Sequence, residues 1–349
     1  MSTAKIFLLG ATGYVGGSIL AQLLKNKDYT FTALVRDQSR ADRLKSELGV
    51  EPVIGSFEDL EVLKKAAEES DIVINAWSDD LPATKALVEG LKKRGGRSGK
   101  PAYLIQVSGT GVLCDHVNGE SDEQEPFDDY DIKRIRALPD EQIHKDVDDY
   151  LFSQNDQPDV LRTIITCPPL IYGKGLGIFN VRSKQIPVIA QATIATRKNG
   201  TVGKGLNKWG TVHVDDLVKF FDLLVRAAID GKASYGDEGF YFAESGEEYL
   251  KDMSQHVFDA VVKKAGWALV DTVPVQTPLT DSEVDKYYGG AFGYWIFAGN
   301  SRSRANRAKK ELGWKPEAPE LWETLDEEVE YWVEKLKNDE TKVEPGVDA

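Results

Sequence analysis

Three glycines at a regular interval, Gly10, Gly13 and Gly16, break an apolar run in K-I-F-L-L-G-A-T-G-Y-V-G-G. Glycine belongs where a backbone must turn sharply, admit a phosphate, or let a helix pack on a strand. A helix N-terminus behind such a turn offers unpaired N–H groups and partial positive charge, which suit a diphosphate. Ala11, Thr12, Tyr14 and Val15 complete that loop. A second chemically able group stands in L-V-R-D-Q-S-R, where Arg36 ends an apolar run and Ser39 and Arg40 follow. A guanidinium at that place accommodates a ribose 2′-phosphate, whereas an acidic side chain grips a 2′-hydroxyl. The arginines point to NADP(H), and Asp37 keeps NAD(H) as the alternative.

These residues need elements to hold them. Residues 6–9 read as a buried strand and 15–24 as a helix, from the change of apolar spacing. The alternation continues with strands at 30–35, 53–54, 72–76, 103–107 and 160–166. Helices fall at 39–48, 60–67, 83–91 and around 140–152, with R-G-G-R-S-G-K read as a loop. Strands separated by helices imply right-handed crossovers and an α/β, doubly wound parallel sheet covered on both faces. Past Pro169 the rhythm becomes less regular, with helices expected at 215–228 and 247–264. The expected division is a nucleotide-binding domain at 1–169, a mixed substrate-binding region at 170–337 with elements returning to the first, and a disordered tail at 338–349. Y-Y-G-G-A-F-G-Y-W at 287–295 reads either as a mobile flap or as a packed loop. Trp77 and Trp209 are candidate pocket walls, though large aromatics are more often core.

The net charge of −14 over 349 residues argues against nucleic acid as a partner, because phosphate binding wants a basic footprint. The acidic runs at 122–131 and 322–330 read as solvated faces. Two cysteines exclude a disulfide framework, and four scattered histidines show no metal-ligand spacing. No apolar stretch approaches the length of a membrane span. The expectation is a cytoplasmic monomer or homodimer acting on a small molecule, with no metal and no membrane.

Beyond the glycines, four further stretches carry a resemblance in order. They are D-I-V-I-N-A-W at 71–77, C-P-P-L-I-Y-G-K-G at 167–175, G-K-G-L-N-K-W-G-T-V-H-V-D-D-L at 203–217 and R-A-N-R-A-K-K-E-L-G-W-K-P at 304–316. With G-x-x-G-x-x-G they resemble the extended short-chain dehydrogenase/reductase family, its NAD(P)-dependent epimerase/dehydratase-like branch. The resemblance spans nearly the whole chain and implies a Rossmann-type fold. It adds Ala76, Trp77, Pro168, Leu170 and Ile171 to the expected cofactor contacts. In the family pattern the segment around His213 packs the C-terminal region against the sheet, and Asp215 and Asp216 stand where a helix cap would begin the next helix.

In that family a Ser or Thr hydroxyl polarises the substrate carbonyl, a Tyr moves the proton, and a Lys four residues on holds the nicotinamide ribose and lowers the phenol's pKa. The resemblance places Ser108 at the hydroxyl, with Thr110 second, and Lys145 at the lysine. Glu141 stands where the tyrosine belongs. Three readings follow. Glu141 replaces the phenol, a burial-dependent role; or Tyr130 or Tyr172 reaches in; or the chain has lost catalysis and binds dinucleotide as a regulator of the nitrogen-repression type. The leading expectation is NADPH-dependent transfer of hydride to a carbonyl-like carbon, with a non-redox epimerase or dehydratase and the regulator as alternatives.

Overall fold

The computed structural model describes residues 4–77, 79–266 and 275–338. The first half alternates as β1 (Ala4–Leu9), α1 (Tyr14–Leu23), β2 (Tyr29–Val35), α2 (Gln38–Leu48), β3 (Glu51–Ile54), α3 (Leu60–Glu68), β4 (Ile72–Asn75), α4 (Leu81–Ser98) and β5 (Ala102–Val107). Strands Leu161–Cys167 and Phe240–Phe242 extend the sheet beyond β5. The spatial order is 240–242, 161–167, β5, β4, β1, β2, β3, and every pairing is parallel. This is a Rossmann-type doubly wound α/β fold. The chain runs outward from β1 to β3, then returns to β4 on the other side of β1. Ligands of such sheets bind at that reversal, beyond the carboxyl ends of the strands.

β1, β4 and β5 are near-continuous apolar runs because helices cover both of their faces. Ile6, Phe7, Leu8 and Leu9 are each at most 1% exposed. The helix Val214–Ile229 packs on α1 and closes one face.

The later region holds a small sheet in which Lys208–His213 runs parallel to Leu170–Tyr172 and antiparallel to Gly246–Tyr249. Helices Gln185–Thr196, Leu250–Ala265 and Leu321–Asn338 pack on one another around a second core that includes Met253, Val257 and Val329. The E-L-G-W-K-P segment returns to the first core. Trp314 is 1% exposed there, and its indole N–H donates to the Asp216 carbonyl at 2.9 Å.

Several expected boundaries differ. R-G-G-R-S-G-K is the last stretch of α4, which ends at a left-handed Gly99. The glycines there serve packing: a Cβ on Gly95 would lie 1.9 Å from the Val160 carbonyl oxygen. The helix expected from 140 begins at Lys145, behind turns. The helix expected from 247 begins at Leu250, because 246–249 joins the small sheet. Residues 287–295 form parts of two short helices, Asp281–Tyr288 and Ala291–Ala298, joined through Gly289 and Gly290. The cap of Val214–Ile229 is His213, whose Nδ1 accepts the Asp215 N–H at 3.1 Å. Asp216 is buried and instead accepts the Glu317 and Ala318 N–H groups. Asn338 ends a helix, and the rest of the expected disordered tail lies outside the described residues.

Candidate dinucleotide and catalytic site

At the reversal of the sheet a cavity of about 1000 Å³ opens over Gly10, Thr12, Gly13, Tyr14 and Val15. Gly10 has φ +81°, and a Cβ on it would stand 2.8 Å from the Ala76 carbonyl oxygen. A Cβ on Gly16 would come within 2.3 Å of the Gly10 carbonyl oxygen, so only glycine lets α1 approach the turn. The turn is closed by Gly13 N–H donating to Gly10 O at 2.9 Å. Helix α1 starts at Gly13 with no side-chain cap and no acidic residue in its first turn. Its leading N–H groups are therefore available to an anion. This cradle fits a dinucleotide diphosphate. Ala11 and Gly16 are buried behind it. Tyr14 donates to the Gly173 carbonyl at 2.7 Å and ties the cradle to the later region.

The other end of the cavity is basic. Arg36, Arg40 and Arg43 all line it. Asp37 caps α2 by accepting the Arg40 N–H at 2.9 Å and pairs with the Arg40 side chain at 2.5 Å. Its carboxylate is thereby engaged within its own helix turn. Arg36 is exposed and has no side-chain partner among the described residues. Arg43 stacks over Phe179 at 4.6 Å, donates to the Ile178 carbonyl at 3.0 Å and pairs with Glu47 one turn on at 2.7 Å. Sequence reading missed Arg43, although it lies one helical turn beyond Arg40. Ser39 is exposed and outside the lining.

Trp77 and Phe57 stack at 4.6 Å, 11° apart, as one wall, with Ala76 and Ile171 also in the lining. From the C-P-P-L-I-Y segment the lining proline is Pro169; Pro168 accepts the Thr110 N–H through its carbonyl at 3.0 Å. Leu170 is buried in the second core. Trp209 is also in that core, donating to the Gly299 carbonyl at 2.8 Å.

Near the end of β5, Ser108 donates its hydroxyl to Asp148 at 2.8 Å. Asp148 is 3% exposed. Burial pushes its carboxyl up to about 7, against the pull of His144 and of the Ser108 hydrogen bond. Thr110 is buried; its hydroxyl has no hydrogen-bond partner among the described residues, and its carbonyl accepts from Ser301 at 2.6 Å. Lys145 opens the helix Lys145–Phe152, is 4% exposed, and pairs with Asp149 one turn on.

The candidate proton donors do not gather here. Glu141 is exposed in the turns before the helix. Because no helix spans 141–145, position 141 is not one turn below Lys145 on a common face. Tyr130 is 40% exposed, donates to Glu311 at 3.2 Å and lies under Arg307. Tyr172 is buried in the second core and donates to the Pro319 carbonyl at 3.0 Å.

What does stand against Gly109, the residue after Ser108, is His144, which the sequence analysis does not single out. Its φ is +71°, a left-handed conformation uncommon outside glycine. Its Nδ1 is hydrogen-bonded to Asp79, a residue of the cavity lining. Its Nε2 packs against Gly109, where a Cβ would be only 2.9 Å away. Burial presses the imidazole toward neutrality, but the Asp79 hydrogen bond and the charges of Asp79, Asp148 and Asp146 outweigh it, and its pKa is raised. The sequence signal was a histidine directly before Lys145; its partner Asp79 lies 65 residues away.

Residues 10–153 match the family model described as NAD(P)H-binding. The chain is 28% identical to an oxidase, ucsJ, of Acremonium sp over 354 residues, covering 96% of this chain and 99% of that protein. It is also 28% identical to an uncharacterized protein of Saccharomyces cerevisiae over 337 residues, covering 92% and 97%. A dTDP-glucose 4,6-dehydratase of Bacillus anthracis, solved with NAD, has a TM-score of 0.66 at 17% identity, covering 97% of this chain and 98% of that one. A UDP-glucose 4-epimerase of Thermotoga maritima has a TM-score of 0.64 at 17% identity, covering 95% and 99%. At those identities the two structures share the fold. The chain thus has a Rossmann-type fold, shared with these two solved structures, in which residues 10–153 match an NAD(P)H-binding family.

Proposed function

We propose that this chain is an NADPH-dependent oxidoreductase that reduces a carbonyl-like carbon of a small organic substrate. The observation that carries the reading is Arg36, an exposed guanidinium with no side-chain partner among the described residues, in a cavity lining that also holds Arg40 and Arg43, while the nearby Asp37 is engaged as a helix cap. A 2′-phosphate matches that charge, and a 2′-hydroxyl finds no free carboxylate from Asp37. The oxidase-named relative supports oxidation–reduction as the class.

The chain's own groups divide the work as follows. The turn at Gly10–Gly16 and the first N–H groups of α1 hold the diphosphate. Trp77 and Phe57 wall the cavity; the family resemblance assigns the nicotinamide ribose to Lys145, which lies outside the cavity lining with its ammonium on Asp149. A bound NADPH supplies the hydride. Ser108 binds the substrate oxygen. When Asp148 carries a proton, its carboxyl donates to the Ser108 oxygen, and the Ser108 hydroxyl hydrogen is released toward the substrate. That arrangement polarises the carbonyl, as a donor aimed at developing negative charge should.

Titration of the protein with NADPH and with NADH, followed by tryptophan fluorescence, tests the cofactor reading. NADPH should bind about 10- to 100-fold more tightly, the worth of one charged hydrogen bond. Equal binding, or a preference for NADH, overturns it. Net consumption of NADPH with aldehydes and ketones separates a reductase from an epimerase or dehydratase that regenerates its cofactor, and from a binder that turns nothing over.

A further inference from the structure

We propose that His144, oriented by Asp79, delivers the proton to the substrate oxygen in the place where the resembled family uses a tyrosine. The inference rests on the reductase reading above and names the residue that completes it.

Four observations converge on this ring. Its Nδ1 is held by a carboxylate that lines the dinucleotide cavity, which fixes the tautomer and leaves Nε2 as the working nitrogen. Nε2 has no hydrogen-bond partner among the described residues and sits against Gly109, the neighbour of Ser108. A larger residue at 109 would collide with it. The backbone at His144 is held at φ +71°, and a non-glycine residue in that region is kept where the surroundings over-determine it. Finally, Tyr130 and Tyr172 are tied to Glu311 and to the Pro319 carbonyl, and Glu141 is exposed.

The charged groups around the ring are Asp79 from the segment after β4, and Asp146 and Asp148 from the helix that begins at Lys145. Lys145, next in the chain, has its ammonium on Asp149. The Asp79 hydrogen bond and the charges of Asp79 and Asp146 favour the imidazolium and give the ring a transferable proton. The step balances. The carbonyl carbon receives a hydrogen with two electrons from the dihydronicotinamide, which is oxidised; the C=O π pair moves to oxygen, which takes the proton from His144 Nε2. The product is an alcohol, and the neutral imidazole is recharged from solvent.

The test uses His144→Gly and His144→Asn, both of which tolerate the left-handed backbone. Turnover of NADPH is measured with a panel of aldehydes, ketones and 1,2-dicarbonyls. Both variants should bind NADPH like the wild type and lose about 100-fold or more in turnover. Millimolar imidazole should restore part of the loss in the glycine variant, which has the space to admit it, and not in the asparagine variant. A readout independent of turnover is the NMR titration of the four histidines. The signal missing from both variants should titrate above the ordinary imidazole value of about 6.5, fall in Asp79→Asn, and move on addition of NADP⁺. Unchanged turnover in both variants would overturn the proposal and pass the proton's route to Asp148 through Ser108. A His144 signal titrating below the ordinary value, or indifferent to NADP⁺, would also overturn it. Absence of NADPH consumption by the wild type across the panel fells the reductase reading itself, a result distinguishable from active wild type with equally active variants.

Discussion

Replacing Asp148 with asparagine should make the protein's stability less sensitive to pH. Asp148 is 3% exposed, and burial lifts its carboxyl from 3.8 to about 7. The folded state therefore holds this proton more tightly than the unfolded chain does. Stability from this group is fully present below about pH 4 and declines as pH rises toward 7. Between pH 5 and pH 8 roughly two units of that window are crossed, at about 1.36 kcal/mol each, or about 3 kcal/mol. Asp148→Asn cannot ionise, yet its amide oxygen can still accept the Ser108 hydroxyl. Urea unfolding of both proteins at pH 5 and pH 8 gives four free energies. The wild type should lose about 3 kcal/mol more across the interval than the variant does. Asp129, another carboxyl raised by burial to about 7, contributes equally to both proteins and cancels. His144 faces Asp148 and titrates with it, so the difference belongs to the pair. Identical losses in the two proteins would mean that Asp148 is ionised throughout. Ser108 would then be committed to a carboxylate, and its role as a donor to substrate would fail.

Other consequences are as direct. Gly16→Val, whose Cβ would lie 2.3 Å from the Gly10 carbonyl oxygen, should abolish dinucleotide binding by fluorescence titration in whatever fraction folds. Arg36→Ala should weaken NADPH by roughly 10- to 100-fold and leave NADH nearly unchanged, since the lost interaction is with the extra phosphate; equal losses for both would assign Arg36 elsewhere. Trp314→Ala should cost about 3–5 kcal/mol in unfolding experiments while leaving NADPH affinity intact, because this buried indole locks the returning segment onto Asp216 and lies away from the cavity.

The βαβ half of the molecule was legible because its strands are uninterrupted apolar runs and its helices keep one apolar face. The cradle was legible for the same reason: glycine spacing and a following helix are local facts. What escaped was tertiary. The glycines at the end of α4 read as a loop, since glycine is a poor helix former, but Gly95 lets the helix touch the Val160 carbonyl. The family's tyrosine stands four residues before its lysine, a spacing that has meaning only inside a helix. Here the helix starts at Lys145 itself, so the residue beside the site is the one directly before it. Its partner Asp79 and its neighbour Gly109 follow two other strands, which no short window of sequence joins. Arg43 was within reach, one turn past Arg40 on α2, but the expectation stopped at Arg40.

The most direct test of the account is a crystal structure of this protein with NADP⁺ bound. The account predicts the diphosphate on the N–H groups at the start of α1 and the 2′-phosphate within hydrogen-bonding distance of Arg36, Arg40 or Arg43. It also predicts His144 Nε2 facing the space above the nicotinamide. A dinucleotide seated away from the glycine turn, or a 2′-phosphate turned to solvent with the arginines unengaged, would contradict it.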